Sequence, residues 1–192
     1  KKGTGNWTTG TSVVVDTNNT TVLGRLYNST LEDEIATNSL TVDNIDKQDP
    51  NPPTAIAVTE NINSLVVQAS GGSDALSGLA GYQYSIDGGT TWTSTVASGT
   101  SHTFDGIKAD TEKTVIARSV DAVGRVSTTY SQGGRTTTVT NNVSLARSTS
   151  NWINGNVTVT LSFTGTIPTG YAIQYKKGTG NWTTGTSVVV DT

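Results

Sequence analysis

The protein is a chain of 192 residues with 12 Lys and Arg against 15 Asp and Glu, a formal net charge of −3, and neither cysteine nor methionine. The lack of cysteine excludes disulfides, thiolate nucleophiles and cysteine-based zinc sites, and without a Lys/Arg cluster we expect no nucleic-acid partner. No apolar stretch approaches the ~20 residues of a membrane-spanning helix, so we expect no membrane insertion of this segment.

Thr, Ser, Asn, Gly and Val dominate the composition, and charged residues make up only 14% of the chain. Thr and Val favour strands, whereas Gly and Asn favour turns. The composition therefore predicts an all-β protein. A weakly charged, Thr/Asn-rich chain without cysteine is typical of bacterial surface proteins, so we expect an extracellular location at the bacterial cell surface.

The first 17 residues read KKGTGNWTTGTSVVVDT, and residues 176–192 read the same. The two copies start at residues 1 and 176, so they lie 175 residues apart. This identity predicts a parent chain in which a unit of 175 residues recurs, and it makes the present chain an excerpt of that array. A unit of this length suits two β-sandwich modules of roughly 85–90 residues each.

Residues 1–49 are predicted to be the C-terminal part of one such module, module B, with strands at Thr21–Leu26 and Leu40–Val42. A polar, proline-rich linker follows over Asp46–Pro53, where a stiff connection is expected.

Residues 53–140 are predicted to form a complete module, module A, with about seven strands between turn-forming residues. Asp87-Gly88-Gly89 tolerates positive φ and predicts a hairpin turn, with Trp92 on the returning strand. The predicted strand segments are Thr54–Val58, Leu65–Ala69, Tyr82–Ile86, His102–Phe104, Thr114–Val120 and Arg135–Val139.

Residues 141–192 are predicted to be the N-terminal part of the next module B, which starts near Asn142 after a junction at Thr140–Asn142. Its predicted strands are Val143–Ala146, Asn156–Phe163, Tyr171–Tyr175 and Ser187–Val190. The spacing of Tyr84 from Trp92 in module A nearly repeats in Tyr175 and Trp182 of module B. Likewise Val115-Ile116-Ala117-Arg118 matches Val22-Leu23-Gly24-Arg25. The two modules are therefore interpreted as diverged copies of one sandwich, in which Trp92 and Trp182 are expected to serve core or strand packing.

Three motifs carry a resemblance to a known family: YQYSIDGGTTW over residues 82–92, ARSVDAVG over 117–124 and VDNIDK over 42–47. The chain resembles the bacterial immunoglobulin-like and fibronectin type III-like tandem repeats of large bacterial surface proteins, of the adhesin or stalk type. The resemblance implies tandem immunoglobulin-like β-sandwiches across nearly the whole chain. Module B departs from the pattern after Arg25, where the expected Asp-x-x-Gly turn is missing.

The sequence contains no recognisable arrangement of catalytic side chains. We therefore expect that the chain is not an enzyme and has no catalytic residues. A Ser-His-Asp triad would have to use His102, the one histidine, but no Gly-x-Ser-x-Gly turn is present to place a serine. Glu32, Asp33 and Glu34 are adjacent, which sends successive side chains to opposite faces of a strand rather than across one cleft.

No cofactor is required by the sequence, but calcium is a candidate at the junction between the modules. Asp43, Asp46, Asp49 and Asn51 place hard oxygen ligands there, as Ca²⁺ prefers, although the same residues also form ordinary turns. A weaker second set lies in module A at Asp74, Asp87 and Asp121.

The sequence is compatible with three functions. The first is a rod-like stalk or adhesin spacer of a bacterial surface protein. The second is the subunit of a self-assembling extracellular filament, and the third is an accessory binding module of a secreted carbohydrate-active enzyme. The expected partners are neighbouring repeats of the same protein, with a homopolymer possible. The two parts of module B would belong to a continuous longer chain, complete each other head to tail between molecules, or pair within one chain.

Overall fold

The computed structural model of the protein describes residues 1–137 and 143–191. In these two ranges the strands pair in antiparallel ladders and no segment is helical. The predicted all-β class, with β-sandwich architecture, is confirmed. Because this part of the chain has no helix, it also has none that could cross a membrane.

The first part of the chain is a hairpin of two strands, β1 (Thr20–Asn28) and β2 (Asp33–Val42). Its register runs from the Thr20–Val42 pair to the Asn28–Asp33 pair and shifts at Leu26/Tyr27. Lys2 forms an isolated antiparallel bridge to Val22 on the outer edge of β1. Residues 1–3 therefore act as a short third strand beside the hairpin.

The described part of module A, residues 53–137, contains seven strands in two sheets. One sheet has the order β3-β4-β7 and the other has the order β6-β5-β8-β9. The strands are β3 (Ala55–Glu60), β4 (Ser64–Ser70), β5 (Leu79–Ser85), β6 (Val96–Ala97), β7 (His102–Asp105), β8 (Glu112–Asp121) and β9 (Val126–Arg135).

The core of module A lies between these two sheets. On β4, Leu65, Val67 and Ala69 point inward and are almost fully buried, as are Val115 and Ala117 on β8. In each strand the buried residues are two positions apart, because successive side chains of a strand point to opposite faces. The alternation of apolar and polar residues in the sequence therefore identifies the side chains on the inner face of the sandwich.

Two buried tyrosines of β5 accept hydrogen bonds from backbone groups. The hydroxyl of Tyr84 accepts one from the N–H of Ala69 on β4 at 2.8 Å, and that of Tyr82 accepts one from the N–H of Gly72, in the loop after β4, at 3.1 Å. Both tyrosines are at most 1% exposed, and burial raises the pKa of the Tyr84 phenol. Each ring thus fills the core while its hydroxyl satisfies a backbone donor, which for Tyr84 belongs to the opposite sheet.

The last part of the chain has a three-stranded sheet of order β10-β11-β14 and a small hairpin, β12-β13. Their bounds are β10 (Val143–Arg147), β11 (Val157–Phe163), β12 (Gln174–Tyr175), β13 (Thr183–Thr184) and β14 (Ser187–Val190). Leu161 is buried here, but Val143, Leu145 and Val190 remain 44–66% exposed. The apolar face of this sheet is therefore only partly covered by the described residues.

Some predictions differ from the structure. Trp92 lies outside the strands, since the returning strand is Val96–Ala97 alone, and its ring packs under the Arg118 guanidinium at 4.1 Å. Trp182 is 62% exposed, so its predicted core role is wrong for this chain. The last strand of module A among the described residues is Val126–Arg135, and the predicted closing segment Arg135–Val139 extends beyond residue 137, outside the described residues. The predicted junction at Thr140–Asn142 lies outside the described residues.

We predict that Tyr84→Phe lowers the free energy of unfolding of module A by about 1–3 kcal/mol, because the buried N–H of Ala69 loses its acceptor. Urea denaturation followed by circular dichroism measures the change. Tyr171→Phe is the control, since Tyr171 is 47% exposed and its substitution should stay within about 0.5 kcal/mol of wild type. Equal losses in the two variants would contradict the role given to the Tyr84 hydroxyl.

Candidate metal centre

Three carboxylates from distant parts of the sequence meet beside module A. Asp46 belongs to the linker, Asp74 to the loop between β4 and β5, and Asp121 to the end of β8. One oxygen atom of each lies within 4.8 Å of the corresponding atoms of the other two. The cluster is therefore compact enough for all three carboxylates to touch one ion.

Asp121 shapes the turn from β8 to β9. Its Oδ1 accepts hydrogen bonds from the backbone N–H groups of Val123 at 3.0 Å and Arg125 at 2.8 Å, and Gly124 takes a φ of +88° in the same turn. The residue is 1% exposed. Its other oxygen, Oδ2, is buried and has no hydrogen-bond partner among the described residues.

Asp74 organises the neighbouring loop in a similar way. Its Oδ1 accepts hydrogen bonds from the backbone N–H groups of Leu76 at 3.0 Å and Gly78 at 2.8 Å. The two loops are joined directly, because the N–H of Ala122 donates to the carbonyl of Gly78 at 2.9 Å. Asp74 and Asp121 are therefore held side by side by the backbone of module A.

Asp46 brings the linker to these loops. Its Oδ2 accepts a hydrogen bond from the N–H of Ser77 at 3.1 Å, and its Oδ1 accepts one from Gln48 at 2.9 Å. The hydrogen bonding from Ser77, and next that from Gln48, lowers the pKa of Asp46 below its ordinary value. The side chain is thus held as a carboxylate at neutral pH, half-buried beside the other two.

The rest of the linker also contacts module A. Asn51 pairs with Ser73 through an N–H···O bond of 2.8 Å and a side-chain bond of 3.0 Å, and Pro50 and Pro53 are buried. Asp49 forms an exposed ion pair of 2.7 Å with Arg125, a kind of contact worth at most about 1 kcal/mol.

Only some of the predicted calcium ligands lie in the carboxylate cluster. Of the first set, Asp46 joins the carboxylate cluster, whereas Asp43 is exposed and Asp49 and Asn51 have the protein partners given above. Asp74 and Asp121 of the second set complete the cluster. The sequence offered both sets separately, and only the path of the linker over module A combines them.

Asp87 lies away from this cluster and organises the turn after β5. Its carboxylate accepts hydrogen bonds from the hydroxyl of Ser85 at 2.6 Å and from the N–H of Thr91 at 3.0 Å. The bonds from Ser85, then those from Thr91, hold its pKa far below the ordinary value. Asp87 is therefore a turn residue in this structure.

The residues considered as catalytic candidates are not part of the carboxylate cluster. His102 begins β7 and packs against Phe104 at 4.7 Å and Tyr84 at 6.2 Å between ring centroids. Glu32 takes a φ of +53° in the β1–β2 turn, and Glu34 on β2 pairs with Arg25 at 3.2 Å. His102 therefore packs among aromatic rings, whereas Glu32 and Glu34 lie in and beside the β1–β2 turn.

Comparison with known proteins assigns no family to the chain. No family model matches it, and no curated protein matches it. Among solved structures, Chitinase ChiA74 from Bacillus thuringiensis is similar with a TM-score of 0.39 and 24% sequence identity, over 61% of this chain and 18% of the chitinase chain. The match thus spans less than a fifth of the chitinase.

We predict that Asp87→Asn makes module A less sensitive to acid. The folded state depresses the pKa of Asp87, so its stabilising effect is complete above the unfolded-state pKa of about 3.9 and is lost as the pH falls below that value. Wild type should therefore lose more of its melting temperature between about pH 5 and pH 2.5 than the variant loses. Differential scanning calorimetry at several pH values measures this slope, and the exposed Asp43→Asn serves as control. Identical slopes in wild type and Asp87→Asn would refute the role of the turn.

Proposed function

We propose that the chain is a structural repeat of an extracellular bacterial surface protein, in which it acts as a rod-like spacer. The observation that supports this proposal is that its two identical segments, residues 1–17 and residues 176–192, make different contacts. Each segment makes contacts that the other lacks, and the two sets of contacts support a sandwich that would continue across the repeat boundary.

The first segment packs against β1. Lys2 pairs with Val22, and the Arg25 guanidinium lies 4.0 Å from the ring centroid of Trp7. In module A the matching pair is Arg118 over Trp92, at 4.1 Å. The first segment therefore makes with β1 the same contact that a complete sandwich makes.

The second segment packs against the other sheet. Ser187–Val190 pairs with β11, and Thr183–Thr184 pairs with β12, whereas the same letters at residues 8–15 lie outside the strands. Trp182 has Lys176 at 5.2 Å from its ring centroid and remains 62% exposed. It lacks the arginine that covers Trp7.

A chain that continued from residue 192 into the sequence of residues 18–49 would make both sets of contacts at once. The apolar face of the β1–β2 hairpin, with Leu26 and Leu40 more than 60% exposed, would then cover the β10-β11-β14 sheet, where Leu145 is 66% exposed. Burial of apolar area favours this by about 25 cal/mol per Å². This complementarity supports neighbouring repeats of the same protein as the partner.

The docked linker supports a rod rather than flexible beads. It is held at its start by the bond from the N–H of Ile45 to Asn18 at 3.1 Å, and at its end by the Asn51–Ser73 pairing. Two sandwiches in series, each with strands of about ten residues, would advance roughly 70–80 Å per repeat. A structural rod of this kind needs no catalytic residues.

The same complementary faces favour a second candidate, the head-to-tail filament. In that case the β1–β2 hairpin of one molecule would cover the β10-β11-β14 sheet of another. The filament differs from the spacer in whether repeats are joined by the chain or by contact. Mass photometry and negative-stain electron microscopy of the 192-residue chain distinguish them, since fibres indicate the filament and monomers with one compact module indicate the spacer.

We predict that a chain extended by one further 175-residue period gains a cooperative unfolding transition, because one module B is then completed. In the extended chain, Trp182→Ala should lower the stability of that module by about 1–2 kcal/mol through loss of its contact with the arginine of the next period. Calorimetry measures the transition, and small-angle X-ray scattering measures the gain in length.

Trp7→Ala in the same extended chain is the matched control, since Trp7 has identical neighbours in sequence but lies outside the completed module. It should leave the new transition unchanged. If no transition appears, or if both substitutions have equal effects on it, the proposal that module B crosses the repeat boundary is wrong.

A further inference from the structure

We propose that the cluster of Asp46, Asp74 and Asp121 binds a calcium ion that fastens the linker to module A. The inference uses the proposed spacer function only to explain what the ion is for. The site itself stands on the geometry of the three carboxylates and on the buried oxygen of Asp121.

The buried Oδ2 atom of Asp121 is the first reason to propose a bound cation. Asp121 is 1% exposed, and its Oδ2 has no hydrogen-bond partner in residues 1–137 or 143–191. A carboxylate oxygen removed from water is costly unless a donor or a cation replaces the lost hydration. Oδ1 is already used by the β8–β9 turn, so Oδ2 is the atom that a ligand would satisfy.

The closeness of the three carboxylates is the second reason. One oxygen from each lies within 4.8 Å of the others, and the nearby Arg125 side chain is directed to Asp49 at 2.7 Å. A divalent cation between the three groups would replace mutual repulsion by attraction.

The ligand chemistry selects calcium. Ca²⁺ takes six to eight oxygen ligands at about 2.3–2.6 Å, so two ligands on opposite sides of the ion lie up to about 5 Å apart. The cluster fits within that span. Zinc favours nitrogen and sulfur ligands, and Mg²⁺ requires a tighter octahedron with oxygens at about 2.0–2.1 Å. Water would supply the remaining positions.

The position of the site determines its effect. Asp74 and Asp121 belong to loops that are bonded to each other within module A, whereas Asp46 belongs to the linker. An ion that all three residues share would connect the linker to the module directly. The other charged contact of the linker, Asp49 with Arg125, is exposed and weak. Calcium would therefore control how stiffly one module is joined to the next.

The first test is calorimetric titration of the 192-residue chain with CaCl₂, after chelator treatment, and with MgCl₂ in a separate run. We expect one calcium site per chain, weaker binding of Mg²⁺, and a rise in melting temperature on the order of 10 °C at a hundredfold excess over Kd. Asp46→Asn should reduce the affinity at least tenfold. Asp43→Asn is the matched control, because it removes the same charge three positions earlier in the chain and should bind as wild type does.

The second test measures the linker directly. Trypsin cleaves after Lys47, which is exposed beside Asp46, and calcium should slow this cleavage several-fold. Cleavage after the exposed Lys177 is the internal control and should be unchanged. In Asp46→Asn the protection of Lys47 should disappear while the melting curve without calcium shows that module A is folded.

Three results would overturn the inference: neither heat nor a shift in melting temperature with calcium, binding that Asp43→Asn abolishes but Asp46→Asn does not, or binding that leaves cleavage after Lys47 unchanged. The chain extended by one further 175-residue period is studied with chelator present. Loss of the calcium site and failure of the spacer function can therefore be distinguished.

Discussion

A sheet with one apolar face must be covered by another sheet, and this constraint governs every part of the structure. In module A, β4 and β8 supply alternating apolar residues from two sheets, and Leu65, Val67, Val115 and Ala117 are almost fully buried between them. The β1–β2 hairpin and the β10-β11-β14 sheet obey the same pattern of alternation, yet Leu40 and Leu145 keep about two-thirds of their surface exposed. Module A thus buries its apolar residues between two sheets, whereas these two parts of the chain leave much of theirs exposed.

Polar groups determine how the modules are connected once the cores are formed. Asp121 illustrates the point, because one of its oxygens closes the β8–β9 turn while the other is buried without a hydrogen-bond partner in the described residues. Asp74 closes the adjacent loop, and Asp46 reaches the same place from the linker. The positions of the turns therefore determine how closely the three carboxylates lie.

The sequence predicted the fold better than it predicted the candidate site, and the reason is physical. Strand periodicity is local, so the alternation in Tyr82–Ile86 and Thr114–Val120 was sufficient to place β5 and β8 and their buried faces. Trp92 lies outside the strands and packs against Arg118, a residue distant in sequence, and no local pattern encodes such a contact. Asp46 and Asp121 were identified as oxygen ligands, but their meeting depends on the path of the linker over module A.

The duplicated segment shows most directly that local sequence does not determine local structure here. The same letters form β13 and β14 at residues 183–190 but no strand at residues 8–15. Because intrinsic propensity is identical in the two copies, the difference arises from the partners: β11 and β12 are present beside one copy, and β1 beside the other. Strand propensity in these residues is realised when a neighbouring edge supplies hydrogen bonds.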